Sequence, residues 1–224
     1  MVYNGGNKRK DRLTMEIKTL VLSPLSTNCY LVKTGEGRGV VIDPADDGEK
    51  ILEKAEGMGI EIKKILLTHG HFDHTNAVNF VKEKTGAAVY IHEKDVCMLT
   101  DGDKALAYFC PEMGFECKEA DVELKDNDTV TDGDVTFKVM HTPGHSAGSV
   151  CFLVESMDEP NIMFAGDTIF RDSIGRSDGY SGDYIVQKAT LEKLKSLDED
   201  YIIYSGHGPS TTLKTEKKFN PFIS

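Results

Sequence analysis

The chain has 224 residues, enough for one domain of packed layers, and no linker, repeat or low-complexity tract divides it. Its 26 basic residues against 37 acidic ones leave a formal charge of −11, which excludes the basic face that a nucleic-acid partner needs. No apolar run approaches the ~18–20 residues of a membrane span, so no membrane partner is expected.

Met1–Thr14 is polar and basic, with Lys8, Arg9, Lys10 and Arg12 and no apolar core. It reads as a disordered arm, residues 1–14, ahead of a single domain over 15–224, and not as a secretory signal. Met15 offers a second possible start. Short apolar runs then predict strands at Ile17–Leu22, Cys29–Val32, Gly39–Ile42, Lys64–Leu67 and Ala88–Ile91. A second set follows at Thr129–Val130, Val135–Met140, Ser149–Val154, Ile162–Ala165 and Tyr201–Tyr204. Helical periodicity covers Gly48–Gly57, His74–Lys84, Lys94–Thr100 and Asp183–Leu197; in the last, Ile185, Val186, Ala189, Leu191, Leu194 and Leu197 form a broad apolar stripe. Two sets of strands with helices interleaved suit two sheets packed face to face with helices outside. Cys29, Cys97, Cys110, Cys117 and Cys151 contain no C-x-x-C pair and are odd in number, as free thiols of a reducing cytoplasm would be.

Thr68–His74 reads Thr-His-Gly-His-Phe-Asp-His, placing three imidazoles and a carboxylate within six residues. A soluble protein seldom gathers so many borderline ligands without an ion. The run follows the apolar Ile65-Leu66-Leu67 and precedes a helical pattern, so it occupies a strand-to-helix loop, where a rigid scaffold presents chemistry. Gly70 is expected to let the backbone turn between His69 and His71. His145 in His141-Thr-Pro-Gly-His-Ser146, Asp167 in Phe164-Ala-Gly-Asp-Thr168 and His207 in Ser205-Gly-His-Gly-Pro209 follow strand-like segments and sit beside glycine. Each alone is an ordinary turn; together they predict one shared site at the ends of several strands. Asp43, before Pro44, is either a turn residue or a group that positions a ligand. His141 reads as structural or as a neighbour of a ligand, and His92 as a helix-start or surface residue.

These residues resemble the metallo-β-lactamase superfamily over nearly the whole chain, from about Glu16 to Phe222. Asp43, the His69–His74 run, His145, Asp167 and His207 carry that likeness, in the superfamily's order. Thr27-Asn-Cys-Tyr-Leu31, Gly166-Asp-Thr-Ile-Phe170, Gly175-Arg-Ser-Asp178 and Gly206-His-Gly-Pro-Ser-Thr-Thr212, followed by Glu216-Lys217 and Asn220-Pro-Phe222, are similar to the short glyoxalase II-like, hydroxyacylglutathione-hydrolase-like branch. The resemblance implies an α/β fold, the αββα four-layer sandwich of two mixed β-sheets, with the ligands along one edge between the sheets. It also implies two divalent metal ions, zinc first, with iron and manganese as alternatives that a mixed His/Asp set also accepts. His69, His71 and His145 would hold one ion and Asp73, His74 and His207 the other, with Asp167 bridging them. Asp43 would position a ligand. Asp73 would also handle a proton, which makes Asp73 and Asp167 the implied catalytic pair.

The implied reaction is hydrolysis of a small-molecule thioester of the S-2-hydroxyacylglutathione type by a metal-bound hydroxide. Longer members of the branch continue past Asn-Pro-Phe into a helical domain that holds glutathione; this chain ends at Ser224, which leaves the thiol carrier open. Arg176 would bind a substrate carboxylate, with Tyr180, Lys214 and Lys217 as weaker candidates; the alternative for Arg176 is an ordinary solvated arginine. Two rival readings stand. A mononuclear iron persulfide dioxygenase would use His69 or His71 with His145 and Asp167, and a non-catalytic metal-binding domain would keep the fold alone. A β-lactamase is disfavoured by the lack of an export signal and by Asp167, where the best-known group has cysteine. A nuclease would need a further domain and a basic surface, and a flavodiiron module a carboxylate at position 71.

Overall fold

The computed structural model describes residues 15–157 and 160–224; the predicted arm, residues 1–14, lies outside them. Two six-stranded sheets form the middle of the molecule. In the first, β1 (Ile17–Leu22), β2 (Thr27–Gly35) and β3 (Arg38–Ile42) make an antiparallel meander. From β3 the sheet continues in parallel through β4 (Glu61–Leu66), β5 (Ala88–His92) and β6 (Val122–Leu124). Parallel neighbours need a crossover. Helix α1 (Gly48–Gly57) supplies the first, and α2 (Phe72–Thr75) with α3 (Val78–Thr85) the second.

The second sheet mirrors this plan. Strands β7 (Thr129–Asp132), β8 (Val135–His141), β9 (Val150–Val154) and β10 (Asn161–Gly166) form the meander. Helix α4 (Tyr184–Lys195) crosses to β11 (Tyr201–Ser205), parallel to β10, and β12 (Thr211–Thr212) closes the edge before α5 (Leu213–Phe219).

Strand alternation sorts the apolar residues into three cores. Tyr30, Val32, Val40, Ile42 and Leu66 of the first sheet meet Phe137, Val139, Phe152 and Phe164 of the second. Their neighbours Leu31, Val41 and Ile65 point the other way, against Ile51, Ala55, Val78 and Val81 of the helices. On the far side Met163, Ala165 and Ile203 pack against Leu191 and Leu194 of α4 and Leu213 of α5. Three cores between four layers give the αββα sandwich that the sequence implies.

Several segments differ from the sequence reading. The expected helix over His74–Lys84 is broken, because Ala77 donates its N–H to the Pro44 carbonyl (2.9 Å) instead of to the preceding turn. Lys94–Thr100 holds only the 3₁₀ turn Val96–Met98, in which Met98 N–H reaches Asp95 O at 2.9 Å. His92 is neither a helix start nor a surface residue. It ends β5, is 3% exposed, and stacks on His141 with ring centroids 4.1 Å apart. Strands β6 and β12 and helix α5 are too short or too polar to show a period.

Burial and the His141 ring pull the His92 imidazole down to about 4. The unfolded chain therefore binds this proton more tightly than the fold. The contribution is fully present above pH 6.5 and is lost as the pH falls through about 4. Thermal melts from pH 7 to pH 4 should show His92→Phe losing less stability than wild type. The difference should be roughly 2–4 °C in Tm, the shift that ~1 kcal/mol produces in a chain of this size.

Candidate metal centre

The loops that leave β3, β4, β8, β10 and β11 converge at one end of the sandwich, where the two sheets are stitched together. Val150 N–H donates to Thr68 O at 2.9 Å, and Asn28 N–H to Gly206 O at 2.7 Å. The Asn28 amide reaches the Ser205 and Gly208 carbonyls (2.9 and 2.8 Å), and the Tyr30 hydroxyl also donates to Ser205 O. Sheet one thereby fixes the His207 loop, and sheet two fixes the loop that carries His69–His74.

His69, His71 and His145 offer ring nitrogens within 4.8 Å of one another, and so do the ligand atoms of Asp73, His74 and His207. His71 Nδ1 lies 2.9 Å, and His69 Nε2 3.3 Å, from His145 Nε2. Asp167 stands between the groups, with Oδ1 3.3 Å from His74 Nε2 and Oδ2 3.5 Å from His145 Nε2 and 3.6 Å from His207 Nε2. All seven candidates are thus in one place, with six of them buried or nearly so and His207 28% exposed. Gly206 is required here, since a Cβ would fall 2.1 Å from Asp167 Oδ1. Gly70 serves close approach and not a turn. Its φ is not positive, and a Cβ would meet that of Met98 at 2.6 Å.

Outer contacts set which nitrogen of each ring faces inward. His145 Nδ1 donates to the Arg176 carbonyl (2.7 Å), leaving Nε2 as a lone pair on the site. His74 Nδ1 donates to Asp43 Oδ2 (3.0 Å), again leaving Nε2 inward. Asp43 lies close enough to His69 and His74 to be counted as a ligand itself. Its oxygens are already engaged by Thr68 N–H (2.8 Å) and Thr68 Oγ1 (2.6 Å) as well as by His74, which makes it an anchor and not a ligand. Thr27 Oγ1 donates to Asp73 Oδ2 at 3.1 Å.

The electrostatics ask for a cation. Burial and the surrounding imidazoles hold His69 well below its usual range and bring His71 down to about 3, so both rings are neutral donors. Burial opposes charge on His74, yet Asp73, Asp167 and Asp43 raise it well above 6.5. Burial likewise opposes the Asp167 carboxylate, yet His74, His145 and His207 hold it well down. His74 Nε2 and Asp167 Oδ1 are buried and face each other at 3.3 Å without completing a hydrogen bond. Inward-facing ring nitrogens, two carboxylates and buried polar atoms left without a hydrogen bond fit divalent ions on His/Asp ligands.

A cavity of about 380 Å³ opens over this group, walled by Leu25, Phe72, Leu106 and Phe109, with Arg176 at its rim. The Arg176 guanidinium lies 4.9 Å over the Phe109 ring and is held in a bidentate pair by Asp178 (2.6 and 3.0 Å). Tyr180 is not among the lining residues; its hydroxyl sits 3.8 Å from Cys97 Sγ. The sequence reading had not singled out Thr27, Thr68, Leu106 or Phe109 as functional. Thr27 and Thr68 stood within quoted stretches, but Leu106 and Phe109 did not, because apolar walls carry no ligand signature. A larger acidic depression around Asp46, Glu49, Glu83 and Glu116 is lined by no histidine or cysteine.

The metallo-beta-lactamase superfamily profile matches residues 22–207. Hydroxyacylglutathione hydrolase GloC of Haemophilus influenzae is 32% identical over 220 residues, covering 94% of this chain and 99% of that protein. Among solved structures, the B3 metallo-beta-lactamase BLEG-1 superposes with a TM-score of 0.86 at 35% identity, covering 93% of this chain and all of that one. TTHA1623 in a di-iron-bound form gives 0.80 at 37%, covering 92% and 99%. The chain belongs to the metallo-beta-lactamase superfamily.

Replacing Asp43 with Asn keeps a residue that tolerates its positive φ of 50° but turns an amide toward donors. Competition with a chromophoric chelator should show one ion held ~10–100-fold more weakly in Asp43→Asn.

Proposed function

We propose that the protein is a binuclear metallo-hydrolase that cleaves thioesters of the S-2-hydroxyacylglutathione type. One observation carries this reading. Two ligand groups, His69/His71/His145 and Asp73/His74/His207, meet at a shared Asp167 beneath an apolar-walled cavity. The match to GloC over nearly the full length of both chains supports the substrate class. A site with one iron would need only two imidazoles and a carboxylate, and would leave Asp73, His74 and His207 without a purpose.

Bound ions, zinc first with iron or manganese as alternatives, supply a hydroxide at neutral pH and an electrophile for the acyl oxygen. The chain's own groups do the rest. Asp167 spans the two halves and offsets their charge. Asp73, steadied by Thr27 and 3.4 Å from His207 Nε2, is placed to take or return a proton beside the nucleophile. Leu25, Phe72, Leu106 and Phe109 exclude water from the side on which the acyl group enters. Arg176 is the lining cation, available to a substrate carboxylate that displaces Asp178. A β-lactam amide is the second reading, favoured by the BLEG-1 superposition, since the same groups would open a strained acyl bond.

Purified protein should carry about two divalent ions per chain and hydrolyse S-D-lactoylglutathione. Asp167→Ala should lose turnover by more than the ~10–100-fold that removal of an outer partner costs, and should lose bound metal with it. Nitrocefin cleavage without thioester cleavage would move the assignment to the lactam. One iron per chain with oxygen uptake on glutathione persulfide would replace it with a dioxygenase.

A further inference from the structure

Asp95 lies in the turn after β5, on neither ligand loop, and its side chain is fully buried. Three donors converge on its carboxylate. Gly70 N–H (3.1 Å) and Ser146 Oγ (2.6 Å) donate to Oδ2, and Gly148 N–H (2.6 Å) donates to Oδ1. Gly70 stands between His69 and His71, while Ser146 and Gly148 follow His145. The three partners are 25, 51 and 53 residues away in sequence, so a single carboxylate joins a loop of the first sheet to a loop of the second.

The packing is built around this group. A Cβ on Gly148 would fall 2.6 Å from Asp95 Cγ, and one on Gly70 would meet Asp95 O at 3.0 Å. Ser146 Oγ is held in turn by Ser149 Oγ at 2.7 Å. Burial pulls the Asp95 carboxyl up from its usual range, opposed by the three donors. Only the carboxylate satisfies all three, because a protonated oxygen would turn a hydrogen toward a donor. The other ligand group hangs on different anchors, namely Asp43 on His74, Thr27 on Asp73 and Asn28 on the His207 loop.

We infer that Asp95 is a positioning residue for the three-histidine ion site. It fixes His69 and His71 against His145 and so sets that site's affinity for a divalent ion without touching the ion. This rests on the binuclear reading above.

The test is a zinc competition titration on the full chain, with His145→Ala used to mark which binding step belongs to the three histidines. Asp95→Asn should weaken that step ~10–100-fold and leave the other within a few-fold. Ser146→Ala, which removes one of the three donors, should weaken the same step by less. Asp132→Asn is the control. Asp132 is buried too, but it ties Thr34 and Arg38 together away from the loops, so this variant should melt earlier with both steps intact. Wild-type binding of both ions by Asp95→Asn would overturn the inference, as would equal weakening of both steps. Should Asp95→Asn not fold, Ser146→Ala decides: no change in the marked step overturns the proposal. Wild-type protein that takes up no zinc would overturn the binuclear reading together with this one. That result is distinct from two tight ions in wild type and an unaffected variant.

Discussion

Crowded lone pairs at the sheet ends are the constraint on which the rest of the structure depends. Five imidazoles and two carboxylates are pressed together in a largely buried space, and His74 Nε2 and Asp167 Oδ1 have no hydrogen-bond partner. Left uncompensated, such an arrangement would cost several kcal/mol, since buried polar atoms without partners are among the most expensive features a fold can carry. The molecule tolerates it because a cation can occupy the gap. Binding of that cation is then coupled to folding, and the stitching of the two sheets by Thr68, Asn28 and Tyr30 has a purpose beyond packing.

The fold supplies this geometry cheaply. Each sheet is a meander that becomes parallel at one side, and the parallel strands send their C-terminal ends to the same end of the sandwich. Three cores hold four layers in register, so loops more than a hundred residues apart arrive with fixed spacing. The candidate ligands ride on those loops; buried Asp43 turns His74 Nε2 inward, Thr27 holds one Asp73 oxygen, and Asp95 ties together the loops that carry His69, His71 and His145. Reactivity and specificity are thereby separated. The centre is built from charge and lone pairs, while the cavity above it is built from Leu25, Phe72, Leu106 and Phe109.

Much of this was legible in the chain. The cluster His69–His74, with glycine-flanked Asp167 and His207 after apolar strands, announced a common site because ligand chemistry and strand-end loops leave a local mark in sequence. Strand alternation announced the two sheets for the same reason. His92 was misread because a single imidazole carries no sign of burial; its stacking on His141 joins residues 49 positions apart, and no local pattern encodes that. The break between α2 and α3 was hidden because the competing acceptor, Pro44 O, comes from a distant loop. Leu106 and Phe109 were invisible as cavity walls, since an apolar residue looks the same in a core and over a site.

The sequence by itself determined the ligand types, their order along the chain and the layered class of the fold, since these follow from residue chemistry and from periods of two and 3.6. Tertiary structure alone decided which nitrogen of His74 and His145 points inward, that Asp43 anchors instead of ligating, and that Asp95 clasps two loops lying 25 and 51 residues from it in opposite directions along the chain. Those outcomes depend on hydrogen bonds between segments distant in sequence, and their partners are chosen only when the two sheets close on each other.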